Sequence, residues 1–237
     1  MEERYSVYAQ ERTLDKAEVN ILVRSVYNWM AIGLLLTGLT AYFTASSQAM
    51  MSFIFGSRVV FFGLLIGELV MVGYFAARVY KLSPGAATGL FLSYSVVNGL
   101  TLSAIFFLYT RGSLASTFLV TAGTFAAVSL YGYTTKKDLT SLGSFMMMGL
   151  FGIIIASVVN MFVHSGPIDK AVTYLGVLIF VGLTAYDTQK IRMMAEARPL
   201  DAGEGALRKA ALFGALSLYL DFINLFLMLL RLMGDRR

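Results

Sequence analysis

The chain has 237 residues, of which 57% are hydrophobic and only 14% are charged, and its mean hydropathy is +0.71. Soluble domains carry about a quarter charged residues, so this composition predicts a polytopic membrane protein. The sequence has no cysteine, which excludes disulfides, thiolate metal sites and thiol catalysis, and its single histidine, His164, makes a histidine-built metal site implausible. The net charge of +5 fits basic loops that face an anionic membrane surface and requires no nucleic-acid partner.

Residues 1–24 mix acidic and basic side chains and lack the short apolar core and small-residue cleavage site of a signal peptide. We therefore expect a cytoplasmic N-terminal segment over 1–24 that becomes helical near Leu14 and continues into the first span. A seven-helix transmembrane domain is expected over 25–233.

Seven segments reach or approach the roughly 20 apolar residues that a membrane-spanning helix needs. They lie at about 25–45, 52–78, 84–109, 114–135, 142–164, 169–189 and 206–232. Short connectors with turn residues separate them, and the longest connector is the polar stretch 192–209. In the second span, Gly63 and Gly67 form a small-xxx-small pair that predicts close helix packing. The pattern predicts an all-α integral membrane protein.

Lysine and arginine are distributed unequally between the two sides of these predicted spans. Of the 19 basic residues, 13 fall on the side of the N-terminus, and the other six are Arg58, Arg111, Lys170, Arg231, Arg236 and Arg237. The positive-inside rule therefore places the N-terminus in the cytoplasm. Seven crossings then place the C-terminus outside, although a re-entrant last segment would return this basic end to the cytoplasm.

Four ionisable residues sit at or inside the predicted spans: Glu68, Arg78, Asp187 and Asp221. An ionised carboxylate at mid-membrane costs at least a few kcal/mol, and such residues usually mark functional sites. Glu68 and Asp221 lie near the middle of their spans, whereas Arg78 and Asp187 lie near the cytoplasmic ends.

The seventh span has a polar stripe, because Gly214, Ser217, Asp221 and Asn224 are spaced by 3, 4 and 3 residues and so share one helical face. A polar stripe on an otherwise apolar helix faces protein or water rather than lipid. The last helix is therefore expected to be central, among the other helices.

Asp221 needs a partner at a similar depth, and both Arg78 and Asp187 approach from the cytoplasmic side. Two carboxylates that are close together in a low dielectric cannot both ionise comfortably, so the pair would hold one proton, whereas an arginine would favour full ionisation. Such a cluster is poised to change state with pH or to exchange a proton for a metal cation. A static ion pair that pins three helices is the open alternative.

Four stretches carry a resemblance to a known family: NGLTLSAIF in the third span, TTKKDLTSLGSF after the fourth, AYDTQKI in the sixth and LSLYLDFINLF in the seventh. Over residues 20–233 the chain resembles the Bax inhibitor-1 family of transmembrane Bax-inhibitor-motif proteins, especially the bacterial members. The resemblance implies seven helices, with the last wrapped by the first six, in a bacterial cytoplasmic (inner) membrane.

The resemblance also implies a function, a pH-sensitive calcium leak across the membrane. Asp187 and Asp221 match the family's proton-sensing pair, Arg78 matches the arginine that latches it, and Glu68 matches an acid along the proposed ion path.

The residues themselves fit calcium as the transported ion, because Ca²⁺ prefers carboxylate and carbonyl oxygens. Asp187, Asp221 and Glu68 supply carboxylates, and Ser217 and Asn224 add side-chain oxygens to the expected pathway. Asp187 and Asp221 are the expected Ca²⁺ contacts, and no tightly bound cofactor is expected.

Two other classes, an intramembrane aspartyl protease and a retinal-binding protein, fit the sequence less well. No enzyme activity is expected. An intramembrane aspartyl protease would match Tyr186–Asp187, but Asp221 follows LYL rather than a GxG motif, and no Pro-Ala-Leu motif follows it. A retinal-binding protein needs a lysine in its last span, and none follows Lys209.

A non-transporting regulator remains an alternative function. The resemblance implies it as well, because some bacterial relatives are thought to bind a membrane-anchored ATP-dependent protease. Such a regulator, whether its partner is that protease or another membrane protein, would depend on a surface that one sequence does not reveal.

The first prediction concerns the side of the N-terminus. A cysteine introduced at position 2 of this naturally cysteine-free chain should react with a membrane-impermeant thiol reagent only from the cytoplasmic side. Labelling of intact cells against inverted vesicles measures this. Reaction from outside alone would contradict the predicted orientation.

Overall fold

The computed structural model describes the backbone of residues 2–197 and 203–237 and the side chains of residues 19–197 and 203–237. Its described part is helical almost throughout, with one isolated bridge between Tyr109 and Arg236 as its β-structure. The α-helices within these ranges are α1 (Glu2–Ser46), α2 (Gln48–Phe55), α3 (Arg58–Arg78), α4 (Pro84–Leu102), α5 (Ile105–Leu108), α6 (Arg111–Thr134), α7 (Thr140–Val163), α8 (Gly166–Glu196) and α9 (Glu204–Met233). The predicted all-α class is confirmed.

Seven helical segments of the described residues are long and apolar enough to cross a membrane, which confirms the predicted number. They are Val19–Ser46, Arg58–Lys81, Pro84–Leu108, Arg111–Thr134, Thr140–Val163, Gly166–Glu196 and Glu204–Met233. The last is the most buried, with 61% of its most apolar window buried, as expected for a helix surrounded by protein. The chain is an integral membrane protein.

Local capping explains where the observed boundaries differ from the predicted ones. The second span was expected from residue 52, but Ser57 accepts a hydrogen bond from the Val60 backbone and starts α3 afresh after the short helix α2. Helix α1 begins at Glu2 rather than near Leu14, and α8 continues through Glu196. The predicted connector 192–209 is thereby shortened, and its residues 198–202 lie outside the described part.

The chain divides into two compact units, one formed by residues 1–103 and 190–216 and the other by 104–189 and 217–237. In the first unit, α1 packs tightly against α4. The Thr37 hydroxyl donates a hydrogen bond of 2.8 Å to the Ser95 carbonyl, and a Cβ at Gly99 would lie 2.7 Å from the Thr37 carbonyl oxygen. Small residues thus allow the two backbones to approach closely.

The second unit has a hydrophobic core shared by α7, α8 and α9. Its buried residues are Ile153, Val172, Ile179, Phe180, Leu183, Leu225 and Leu229. Close approaches at small residues bring α8 to its neighbours: a Cβ at Gly182 would lie 2.7 Å from Met146, and one at Gly176 would lie 2.7 Å from the Met228 sulfur.

The C-terminus is tied to the connector between the third and fourth spans, inside the second unit. The Arg237 backbone N–H donates to the Leu108 carbonyl at 3.1 Å, and the Thr110 N–H donates to the Asp235 carbonyl at 3.2 Å. Asp235 also accepts a hydrogen bond of 3.3 Å from the Ser113 hydroxyl. Because α9 is one continuous helix and the C-terminus lies beside this connector, the structure favours a full seventh crossing over the re-entrant alternative.

The expected close packing at Gly63 and Gly67 is wrong as well. A Cβ on either glycine would meet no heavy atom within 4 Å in the described residues. Spacing alone does not show which face of a helix meets a neighbour, and here the close contacts form at other glycines.

The α1–α4 contact yields a stability prediction. Gly99→Ala should lower the Tm by about 3–8 °C, because its methyl group would be forced against the Thr37 backbone carbonyl. Gly123→Ala is the matched control, since a Cβ there meets nothing within 4 Å of it in the described residues, and alanine favours helix. Thermal unfolding in detergent compares the two. Equal Tm values would contradict the close packing.

Candidate functional site

Asp221 is buried in the middle of α9, with only 6% of its surface exposed. The residues around it on the helix, Leu218, Phe222 and Leu225, are between 0% and 4% exposed. Its Oδ2 atom is buried and has no hydrogen-bond partner among the described residues. The carboxyl group therefore lies in an apolar environment that leaves part of its hydrogen-bonding capacity unused.

Asp187 lies in α8, within the same unit as Asp221, and its side chain is half-buried. The two aspartates are close enough for their charges to interact. The structure thus brings together the two carboxylates that the sequence pattern and the resemblance singled out.

Two glycines position the segment of α8 that leads to Asp187. A Cβ at Gly132 of α6 would overlap the carbonyl oxygen of Ala185, and a Cβ at Gly143 of α7 would overlap the ring of Tyr186. Both contacts need a residue without a side chain, so α6 and α7 hold α8 closely just before the aspartate. The sequence contains both glycines, but nothing in their spacing indicated these partners.

Gln189, two residues after Asp187, fixes the end of this segment. The side chain is 4% exposed. Its Oε1 accepts the Leu139 backbone N–H at 2.8 Å, and its Nε2 donates to the Lys137 carbonyl at 2.8 Å. The amide thereby binds the connector between α6 and α7 to α8. The sequence alone does not single out this residue, because a glutamine near a helix end has no distinctive pattern.

Asp138 lies within this connector between α6 and α7 and orders it further. The Asp138 Oδ1 atom accepts the Thr140 backbone N–H at 2.8 Å at the start of α7. Hydrogen bonds from the Thr140 side chain and backbone lower the pKa of Asp138 below its ordinary value. The connector that Gln189 holds is therefore a structured turn.

Glu68 lies in the first unit, where α4 satisfies its carboxylate. The Thr101 hydroxyl donates to Oε1 at 2.7 Å, and the Asn98 side-chain amide donates to Oε2 at 3.2 Å. Asn98 is 7% exposed, and Thr101 precedes the interruption of the third span after Leu102. The two donors are spaced three residues apart on one face of α4, so a mid-span acid is held by a neighbouring helix.

The three remaining predicted site residues are Arg78, Ser217 and Asn224. Arg78 ends α3 in the first unit, its side chain is exposed, and it makes no ion pair within the described residues of that unit. Ser217 and Asn224 are half-buried on α9, and the Asn224 amide donates to the Leu220 carbonyl of its own helix at 2.8 Å. The roles predicted for these three residues stay predictions.

The described residues hold no group of three or more His, Cys, Asp or Glu side chains that could bind a metal ion. Any cation at the aspartate pair would therefore be held by two carboxylates together with neutral oxygens.

These features define the class as a helical integral membrane protein with seven candidate spans and, on its last two helices, a buried aspartate beside a half-buried one. A family model described as "Inhibitor of apoptosis-promoting Bax1" matches residues 19–237. The chain belongs to this family of Bax inhibitor-like membrane proteins, which confirms the resemblance found in the motifs.

Bacterial relatives match nearly the whole chain. "Inner membrane protein YbhL" of Escherichia coli (strain K12) is 52% identical over 223 residues, which cover 94% of each chain. A protein of Borreliella burgdorferi is 45% identical over 228 residues, 95% of this chain and 97% of its own. A membrane protein of Streptococcus pyogenes serotype M1 is 35% identical over 218 residues, 91% of this chain and 93% of its own.

The clamp formed by Gln189 yields a prediction that does not depend on function. Gln189→Leu should destabilise the protein by about 2–3 kcal/mol, because it leaves the Leu139 N–H and the Lys137 carbonyl without their partner. Hydrogen exchange at the Leu139 amide should become faster. Gln48→Leu, at an exposed position at the start of α2, is the control. Unchanged protection of the Leu139 amide would show that the clamp does not hold in the membrane.

Proposed function

We propose that this protein is a proton-sensitive cation leak of the membrane that passes Ca²⁺. The aspartate pair Asp187 and Asp221 forms its gate, and the protein is not an enzyme. The observation that carries the proposal is the burial of the Asp221 carboxyl in an apolar helix, within electrostatic reach of Asp187. Adjacent carboxylates of this kind bind or release a proton as their surroundings change.

The gate works through a change in charge. With both carboxylates ionised, the pair attracts a cation, and the resemblance assigns Arg78 as the latch that it holds. Protonation lowers the negative charge of the pair, weakens that attraction and releases the helix that carries Arg78. The leak therefore increases as the pH falls.

Glu68 supports the choice of a cation as the transported species. Its carboxyl group is held by Asn98 and Thr101, so an acidic group with a fixed orientation stands in the middle of α3. Ser217 and Asn224 of α9 carry further side-chain oxygens, and oxygen is the ligand that Ca²⁺ prefers. We assign Glu68, Ser217 and Asn224 to the ion pathway.

We place the protein in the bacterial inner membrane with its N-terminus in the cytoplasm. Two observations support this location: the unequal distribution of lysine and arginine and the similarity to an inner membrane protein of E. coli.

The proposal predicts a pH-dependent flux in purified form. Protein in liposomes should pass Ca²⁺ faster at acid than at neutral pH, with the change between about pH 6 and 8, where paired buried carboxylates can titrate. Asp221→Asn keeps the volume but removes the titration, so its leak should no longer follow pH. Asp169→Asn, an exposed acid in the first turn of α8, is the control and should keep the wild-type profile. A Ca²⁺-sensitive dye inside the liposomes measures the flux.

Melting temperatures recorded alongside the flux separate the gate from a static ion pair. In the gated protein, Asp221→Asn stays folded, and Arg78→Ala raises the leak at neutral pH. A static pin predicts that both variants lose stability while the remaining flux keeps its pH profile. Flux equal to that of empty liposomes at every pH would overturn the leak and leave the regulator, with a membrane-protein partner, as the function.

A further inference from the structure

Buried side-chain oxygens without a hydrogen-bond partner are rare in folded proteins, and each calls for an explanation. In the described residues such oxygens occur at Thr117 and Ser129 of α6 and at Asp221 of α9. Thr117 is 0% exposed and Ser129 is 5% exposed. All three belong to the second unit.

The two hydroxyls share one buried face of α6, on which a side chain recurs every four residues. This face consists of Ser113, Thr117, Thr121, Phe125 and Ser129, none of them more than 6% exposed. The Thr121 hydroxyl donates to the Thr117 carbonyl at 2.7 Å, and the Ser113 hydroxyl donates to Asp235. The hydroxyls of Thr117 and Ser129 lack such a partner, and Ser129 is the one nearer to the C-terminal end of α6.

Contacts on either side of Ser129 fix its depth. Four residues before it, the Phe125 ring lies 5.4 Å from the ring of Phe222, which directly follows Asp221. Three residues after it, Gly132 abuts Ala185, which precedes Asp187 by two residues. Ser129 therefore lies in the layer of the aspartate pair. Thr117 lies about 18 Å further along the axis of α6.

We propose that the Ser129 hydroxyl and the Asp221 Oδ2 atom share one buried water molecule. The water accepts the Ser129 O–H and donates one of its own hydrogens to the carboxylate. Ser129 thus becomes the third polar residue of the aspartate site, contributed by a helix that carries no acid there.

The number of available oxygens favours water over a metal ion. A buried water needs two to four polar partners, and Ser129 and Asp221 supply two. A tightly bound Ca²⁺ takes 6–8 oxygens, and the described residues hold no group of three or more His, Cys, Asp or Glu side chains that could anchor one. The water site stands on geometry alone. A second role for this water, carrying protons to Asp221, rests on the proposed leak function.

A double-mutant cycle tests the shared water without any flux measurement. Tm is measured for wild type, Ser129→Ala, Asp221→Asn and the double variant. Because both residues hold the same water, the effect of the double variant should differ from the sum of the single effects by about 2 °C or more. The matched cycle of Thr117→Ala with Asp221→Asn should be additive, because that equally buried hydroxyl lies far from the pair.

Additivity in both cycles would overturn the proposal, and so would equal non-additivity in both. A Ca²⁺-induced rise in Tm that Ser129→Ala abolishes would also overturn it, in favour of a bound cation. If Asp221→Asn does not fold, an electron-density or cryo-EM map that resolves ordered water decides, and a water within about 3 Å of both oxygens is expected. A non-additive first cycle in a protein without leak would keep the water and refute the proposed function.

Discussion

A carboxyl group in the middle of an apolar helix is the constraint on which the organisation of this protein depends. Asp221 could be placed in lipid only at a cost of at least a few kcal/mol, so the helix that carries it must be enclosed by protein. Burial of α9 follows from that requirement, and the apolar side chains around Asp221 are packed rather than exposed to lipid.

Close backbone packing positions the segment of α8 that carries the second carboxylate, Asp187. Helices in a membrane gain no hydrophobic driving force from each other, so their association depends on van der Waals contact and hydrogen bonds. Gly132 and Gly143 supply the contact before Asp187, and Gln189 supplies hydrogen bonds after it. The segment of α8 that carries Asp187 is thereby held at three points by α6, α7 and the connector between them.

Glu68 in the first unit and Asp221 in the second unit differ in their hydrogen bonding. Glu68 has both carboxylate oxygens satisfied by α4, whereas Asp221 has one oxygen without a partner in the described residues. The two acids therefore differ in how they are held: α4 fixes the orientation of the Glu68 carboxylate, whereas the Oδ2 atom of Asp221 is held by no described residue.

The sequence by itself determined the helical class, the number of spans, the family and which acids lie within the spans. These properties follow from local composition, helical periodicity and motifs, which need no knowledge of neighbours. Only the tertiary structure decided that α3 starts anew at Ser57, that Gly63 packs against nothing in the described residues, and that Gln189 and Ser129 belong beside the aspartates. Serine, glycine and glutamine carry little signal in a single sequence, since their roles depend on which helix lies opposite, and that is fixed by contacts between residues far apart in the chain.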